Sequence, residues 1–305
     1  MQVLVRSIVA ALLIAGAVQT FTVGVLSDVL PRDVCRPDLR TTWQETFDAL
    51  PTLHITNAQG PVNVSTHAVG KITVAAVISA YVPSYQDRED AQDYLDTLCT
   101  HQAEGRVLRL TTEPRSRPER VELTVTYDVK VPPGTNVTVD ASTGNIFIGE
   151  GCGQVLVRSH KSDIEIRSPQ GSVMARTTNG RIDVYDAQDQ ATLRTVNGDI
   201  RADFPGTQLT ANTVNGDIFA TLPQPGVKKC DLTTTNGAIR IGMHAKGSAE
   251  VNAITREGQV TSAFEVIPLT MGQARSELRG YIGQAETKLT LSTFSGNIMI
   301  ERIPT

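Results

Sequence analysis

Beyond about residue 130, apolar and polar residues alternate along the chain, and a glycine interrupts the alternation at regular intervals. Alternation with a period of two is typical of strands that bury one face. Apolar residues recur seven and five positions before this glycine and two and four positions after it. The glycine place is occupied by Gly144, Ser162, Gly180, Gly198, Gly216, Gly237, Gly258 and Gly296. Each unit therefore predicts a strand, a tight corner and a second strand.

The first five of these places lie eighteen residues apart, and the next two follow at intervals of twenty-one. The hexapeptide TVNGDI occurs twice, at residues 195–200 and 213–218. Asn-Gly between alternating strands fits an antiparallel meander that closes into a barrel. It also fits a β-solenoid, in which each coil stacks on its equivalent. Because stacking explains why equivalent positions resemble one another, we favour an all-β, parallel β-solenoid (β-helix) with coils of about 18 residues.

Stacked asparagines would form a ladder of side-chain amides at ~4.8 Å spacing. We predict a structural, rather than catalytic, role for this turn ladder. Its predicted members are Asn179, Gly180, Asn197, Gly198, Asn215, Gly216, Asn236, Gly237 and Gly296.

The remaining chain predicts four segments. Residues 1–27 are a signal peptide or membrane anchor, 28–52 a linker, 53–136 an N-terminal region of strands and one short helix, and 137–305 the solenoid. Residues 53–64 resemble a degenerate first copy of the repeat, and residues 87–102 have helical spacing and an acidic start. A second glycine–isoleucine pair, Gly280 and Ile282, precedes the final coil. Residues 262–278 fit the period poorly, so we expect a longer excursion there and a cap over the open edge.

Residues 7–27 contain no charge and follow Arg6. The small residues at 15–17 suit a cleavage site, and twenty-one uncharged residues are equally long enough to span ~30 Å of hydrocarbon as a helix. Both interpretations predict an exported protein, either secreted or anchored in the cell envelope, with membrane association through residues 7–27.

The composition of the chain bears on which classes of partner and cofactor it could bind. A formal charge of −4 and an aromatic content of 5% give no reason to expect nucleic acid. The four cysteines, Cys35, Cys99, Cys152 and Cys230, show no metal-binding spacing, and no cofactor is predicted. Cys230 takes an inward position, which indicates a buried thiol, and Cys152 would lie ~19 Å from it at ~4.8 Å per coil. Only a disulfide between Cys35 and Cys99 stays open.

Asp199 and Asp217 would lie one above the other, with Asp163 two coils from Asp199. Paired carboxylates could cleave a glycan or hold Ca²⁺. However, Arg181 and Ala238 take the same place in other coils, which breaks any acidic groove. We therefore expect these aspartates to suit a tight turn. No catalytic residue and no metal ligand is predicted.

The chain resembles the bacterial β-strand-repeat family of unknown function whose members are labelled putative adhesins. The resemblance covers roughly residues 45–305 and rests on TTNGRIDV, TVNGDIRA, TVNGDIFA and TTNGAIRI, together with LHITNAQGPVNV, the acidic helix, VKVPPGTNVTVDASTGNI and the RGYIGQ…LSTFSGNIMI ending. It implies an exported or anchored β-helical protein without established catalytic residues. Some members are tied to envelope stress responses. Ser162 and the pair Arg256–Glu257 depart from the pattern and predict less regular coils.

The leading functional hypothesis is a non-enzymatic, envelope-associated scaffold for adhesion or surface interaction, with a protein or glycan as its ligand. One alternative is a carbohydrate-active β-helix enzyme that uses Asp199 and Asp217. The other is a signalling protein of the envelope stress response.

Overall fold

We describe the fold from a computed structural model, which places residues 22–23, 39–82, 95, 98–112, 122–269 and 275–303. Strands account for nearly all regular structure in these residues, and Leu95 and Leu98 are helical. The strands are β1 (Thr22–Val23), β2 (Leu39–Asp48), β3 (Thr52–Gln59), β4 (Val62–Thr66), β5 (Lys71–Tyr81), β6 (Cys99–Glu104), β7 (Val107–Thr112), β8 (Glu122–Val131), β9 (Asn136–Thr143), β10 (Ile146–Ile148), β11 (Val155–Lys161), β12 (Ile164–Arg167), β13 (Val173–Arg176), β14 (Ile182–Tyr185), β15 (Gln190–Arg194), β16 (Ile200–Asp203), β17 (Gln208–Asn212), β18 (Ile218–Leu222), β19 (Lys229–Asn236), β20 (Ile239–His244), β21 (Ala249–Glu257), β22 (Val260–Ser262), β23 (Ile267–Pro268), β24 (Glu277–Ile282), β25 (Thr287–Ser295) and β26 (Ile298–Ile303).

The described strands form two 13-stranded sheets, and each coil gives one strand to each sheet. The first sheet has the order β1-β2-β5-β8-β4-β10-β12-β14-β16-β18-β20-β26-β22, and the second has β23-β24-β21-β25-β19-β17-β15-β13-β11-β9-β3-β7-β6. Equivalent positions of successive coils pair in parallel, as Val155 does with Val173 and Ile164 with Ile182. The parallel solenoid predicted over the meander is therefore confirmed.

The core lies between the two sheets and is filled by the inward residue of each alternating pair. Leu193, Ile200, Leu209 and Ile218 are fully buried, and so is the smaller Ala211. Each buried aliphatic side chain contributes roughly 1.5–3 kcal/mol through the removal of apolar area from water. The apolar residues of the alternating sequence pattern are thus the buried residues of the strands.

The order of coils at the C-terminal end differs from their order in the chain. The sequence predicted stacking from Gly237 to Gly258 and then to Gly296. Instead, β25 pairs with β19 on one side and with β21 on the other, and β26 lies between β20 and β22. The last coil of the chain therefore fills a slot between two coils that precede it.

The N-terminal end is built in the same way. The coil β3–β4 lies between β7–β8 and β9–β10, which come later in the chain. Residues 53–64 are thus a coil of the solenoid, as the degenerate copy predicted, so parallel coils begin well before residue 137. Residues 39–48, within the predicted linker, instead form β2, because their alternating side chains pack on β5.

Antiparallel strands close both ends of the stack. Strand β5 pairs with β8, and β6 pairs with β7. Strand β6 includes residues 99–102, so the predicted helix of residues 87–102 ends before Cys99, and residues 87–94 and 96–97 lie outside the described residues. The His101 ring of β6 stacks on Trp43 of β2 at 5.6 Å and lies 3.2 Å from the Glu45 carboxylate, which joins the two sheets at this end.

At the opposite end, β24 pairs antiparallel with β21 and covers its edge, with β23 outside it. The expected excursion and cap are therefore present in the second sheet. Gly280, predicted as part of a further glycine–isoleucine pair, lies within β24 opposite Val251 and forms no coil corner.

Candidate functional site

Each Asn-Gly corner brings the backbones of two coils into close contact. Gly180, Gly198, Gly216 and Gly237 have φ between 145° and 155°, a region that side chains rarely adopt. A Cβ atom on Gly198 would lie 2.1 Å from the carbonyl oxygen of Gly180, one coil away. Glycine is therefore required here both by conformation and by space.

The four asparagines of the corners form a continuous, exposed amide ladder. The side-chain nitrogen of Asn197 donates to the amide oxygen of Asn179, Asn215 donates to Asn197, and Asn236 donates to Asn215, each at 2.8 Å. Ser295 takes the asparagine place in the coil that follows, at Gly296. All members of the predicted turn ladder are thus placed at stacked corners.

Inward threonines reinforce the same corners. The hydroxyl of Thr195 donates to the carbonyl oxygen of Gly180 at 3.0 Å, and Thr213 donates to Gly198 at the same distance. Thr234, Thr293 and Thr255 make the equivalent bonds to Gly216, Gly237 and Gly296. A buried threonine thus satisfies a glycine carbonyl that would otherwise lose a partner.

Asp199 and Asp217 have the same structural role. The Oδ1 atom of Asp199 accepts the backbone N–H of Asp217 at 2.8 Å, and Oδ1 of Asp217 accepts that of Ala238 at 2.7 Å. Asp163 accepts the N–H of Arg181 in the same way. Each of these carboxylates therefore makes a hydrogen bond to the neighbouring coil through one of its oxygens.

The outward face of the second sheet carries a polar cluster that the sequence did not predict. The Arg109 guanidinium donates to Nδ1 of His54 at 2.8 Å, and Nε2 of His54 donates to Asp140 at 2.9 Å. Because a guanidinium can only donate, Nδ1 is the acceptor in the first bond, and both imidazole nitrogens of His54 have hydrogen-bond partners. Asp140 also lies 3.6 Å from the Arg158 guanidinium.

A cavity of about 420 Å³ lies beside this cluster. Its walls include Thr56, Asp140, Ser142, Arg158 and His160. From Arg158, a row of arginines continues along the stack, because Arg158 pairs with Arg176 and Arg176 with Arg194. The signal was available in the sequence, since each arginine lies four residues before the glycine place of its coil.

The outward face of the first sheet is instead a mixture of arginine and aromatic rings. Arg167 lies over Phe147 and Tyr185, and Arg201 and Arg240 lie over Phe219, all within 6 Å of the ring centroids. On this face, burial raises the pKa of Asp183 and Asp203. The Arg181 guanidinium, 2.9 Å from Asp183, opposes the effect there, whereas Asp186 adds to it at Asp203.

The described cysteines are buried or partly buried. Cys99, Cys152 and Cys230 are free thiols, and Cys35 lies outside the described residues. Burial raises the pKa of the Cys152 thiol to about 11 and raises that of Cys230 further above its usual range. Within the described ranges, no group of three or more His, Cys, Asp or Glu side chains is arranged to hold a metal ion.

The predicted apolar segment of residues 7–27 lies outside the described residues, apart from Thr22–Val23, which pair with Thr42 and Thr41. In the part of the chain that the structure describes, no helix has the length and apolar character needed to cross a bilayer.

Several solved structures are similar to this chain. A putative adhesin from Bacteroides fragilis is 11% identical with a TM-score of 0.49, covering 87% of this chain and 97% of its own. A putative adhesin from Parabacteroides distasonis is 9% identical with a TM-score of 0.44, covering 87% and 97%. A putative lipid binding protein from the same organism is 11% identical with a TM-score of 0.42, covering 85% and 96%.

No curated protein matches the sequence of this chain. The sequence pattern of one family, Toastrack DUF4097, matches residues 50–228 and 206–301. These two matches together span most of the chain and include every coil corner described above. The resemblance drawn from the repeat motifs is confirmed, and the chain belongs to the Toastrack DUF4097 family.

Proposed function

We propose that this chain is a non-enzymatic scaffold of the cell envelope whose outward sheet faces bind a surface ligand. One observation carries the proposal: the polar groups with catalytic potential make hydrogen bonds that hold the scaffold together. Asp199 and Asp217 each accept a backbone N–H, and both nitrogens of His54 are occupied. The outward side chains of stacked strands are what remains to contact a partner.

The envelope location rests on the uncharged residues 7–27. As a signal peptide or as an anchor, this segment would deliver the solenoid to the outside of the cytoplasmic membrane. N-terminal sequencing of the mature protein, after cell fractionation, distinguishes the two. A mature protein that begins at Met1 in the cytosolic fraction would contradict both.

The test of the scaffold role uses fluorescently labelled full-length chain and isolated envelope fragments. We expect saturable binding without release of reducing ends from envelope polysaccharides. The variant D199N/D217N keeps an oxygen that can accept the backbone N–H at each corner, so it is expected to fold and bind as the parent does. Release of reducing ends by the parent, abolished in this variant, would establish the carbohydrate-active alternative instead.

The alternative function, signalling in the envelope stress response, predicts a different experimental result. A sensor of envelope damage would change the expression of stress genes when it is deleted, whether or not the purified chain binds envelope material. Binding to fragments together with an unchanged stress response supports the scaffold.

A further inference from the structure

We propose that the row Arg158, Arg176 and Arg194 on the second sheet is a binding site for a linear anionic polysaccharide that carries sulfate or phosphate groups. This row is called the arginine row below. The inference rests on the proposed function, since it names the ligand class and the face that the scaffold would use.

The three arginines are held in one line by the register of the sheet. Arg158 is the direct partner of Arg176, which is the direct partner of Arg194, on adjacent parallel strands. All three side chains are exposed on the outward face. Neighbouring strands are ~4.8 Å apart, so the row spans ~10 Å along the stack axis. That direction is the one in which an extended polymer would lie across several coils.

The charges in the row are not balanced. Arg158 has Asp140 at 3.6 Å, but within the described residues no carboxylate lies within ion-pair distance (4.0 Å) of Arg176 or Arg194. Like charges directly opposite each other on adjacent strands are destabilising. The chain as a whole has a formal charge of −4, so this positively charged row has the opposite sign to the net charge of the protein. An anion bound across Arg176 and Arg194 would relieve the repulsion.

The shape of the guanidinium group favours sulfate or phosphate over a simple counterion. Its planar fork donates two parallel hydrogen bonds to such groups, which gives geometric selectivity as well as charge. Two unpaired arginines one strand apart would engage successive anionic groups of one chain. A single small anion could satisfy only part of this array.

The positions that continue the row favour a sugar polymer. Beyond Arg194, the same line contains Asn212, Thr233 and Ser292, each paired in register with the one before. Amide and hydroxyl groups of this kind exchange hydrogen bonds with sugar hydroxyls. Met174, half exposed beside the row, adds apolar surface for a sugar ring. The line therefore offers charge at one end and neutral polar contacts along the rest.

The experiment measures binding of the full-length chain to dextran sulfate, with uncharged dextran of the same length as the control polymer. We expect binding to dextran sulfate alone, weakened by added salt because exposed charges are screened. The variant R176Q/R194Q is expected to lose affinity by about tenfold or more, since hydrogen bonds to charged groups are among the stronger ones.

The matched variant is R201Q/R240Q, which removes the same charge from the first sheet, where both arginines lie over Phe219. It should keep dextran sulfate binding within about twofold, a change too small to reflect a lost direct contact. Equal losses in the two variants would show a general charge effect and overturn the site. Binding to anionic phospholipid vesicles through Arg176 and Arg194, without binding to dextran sulfate, would replace the polysaccharide with a membrane surface.

A stability measurement separates binding from a structural role. If the row is retained for its ligand, R176Q/R194Q will be at least as stable as the parent, because a repulsive pair is removed. A marked loss of stability would assign the arginines to the scaffold and overturn the inference. Persistent binding of R176Q/R194Q to envelope fragments, without affinity for dextran sulfate in the parent, would refute this site and leave the proposed function intact.

Discussion

At the scale of single residues, each letter of the Thr-x-Asn-Gly-Asp corner meets a different physical demand. The glycine allows the backbone of one coil to approach the carbonyl of the next, and the threonine hydroxyl satisfies that carbonyl from inside. The asparagine and the aspartate make their bonds on the exposed side, to the equivalent residue of the adjacent coil. The identity of the repeat is therefore explained by contacts between coils.

The glycine requirement gives a prediction. Gly198→Ala places a methyl group 2.1 Å from the Gly180 carbonyl oxygen at a φ of 154°, so it adds a clash to backbone strain. Gly226→Ala, at a φ of 136° with nothing within 4 Å of its Cβ position, tests the strain alone. We expect a loss of about 1–3 kcal/mol for Gly226→Ala and at least ~2 kcal/mol more for Gly198→Ala. Urea unfolding measures both, and equal losses would contradict the close approach.

At the scale of strands, the two faces of each strand differ in composition and in what they contact. Inward positions are aliphatic and interchangeable within limits of volume, which is why Cys230 can replace a leucine or valine there. Outward positions carry charge, and the columns they form set the character of each sheet. Asp203, at the end of β16, is an outward residue whose Oδ1 is buried without a hydrogen-bond partner among the described residues.

Asp203 predicts a pH-dependent stability. Burial and the nearby Asp186 raise the pKa of Asp203 in the folded chain, so folding favours its protonated form. This contribution to stability is present below the unfolded pKa of about 3.9 and is lost as the pH rises through the folded pKa. Asp203→Asn should therefore stabilise the chain at pH 7, by less than ~1 kcal/mol because the group is partly solvated.

The gain from Asp203→Asn should disappear near pH 3, where the parent aspartate is itself protonated. The control is Asp189→Asn, on an exposed residue whose backbone carbonyl, rather than its side chain, accepts a bond from Thr207. Thermal unfolding at the two pH values measures the difference. A gain that is the same at both, or that is matched by Asp189→Asn, would refute the assignment.

At the scale of the whole molecule, the stack is closed by coils that lie out of chain order at both ends. Strands β25 and β26 fill the slot between β19–β20 and β21–β22. Until they are in place, two interior strand edges on each sheet have no partner. Because such pairings join segments distant in the sequence, they carry a large entropic cost before they stabilise the fold.

Removal of the last coil is therefore expected to be far more damaging than its position at the chain end suggests. A chain that ends at residue 284 would expose the edges of β19 and β21 and should lose its cooperative unfolding transition or self-associate. A synthetic peptide of residues 285–303 added in trans should restore the monomeric fold by strand addition. Circular dichroism and sedimentation measure the outcome, and a truncated monomer with the parent's transition would disprove the insertion.

Much of the fold was predictable because each coil repeats the same local alternation of apolar and polar residues. The alternation of Leu193, Ile200 and Ala211 with polar residues fixed which face is buried, and the spacing of the corners predicted the stack. The predicted helix of residues 87–102 extended too far, because residues 99–102 form a strand that pairs with β7. The local spacing of apolar residues suited a helix there. In the folded chain, however, the backbone groups of residues 99–102 form hydrogen bonds with the edge of β7.

The candidate site was only partly predictable. The stacking of Asp199 on Asp217 followed from the period, but the use of their carboxylates depended on which backbone N–H lay nearby. The cluster of Arg109, His54 and Asp140 could not have been found from spacing. Its members come from β7, β3 and β9, which the sequence separates and the N-terminal stacking brings together.

The sequence by itself determined the strands, the corners, the inward face and the existence of a parallel stack, because all of these follow from a period that each coil repeats. The tertiary structure alone decided the order of the coils at the two ends, the closing of the edges and the neighbours of His54. Those features depend on contacts between segments far apart in the chain, and no local pattern specifies which free edge such a segment will take.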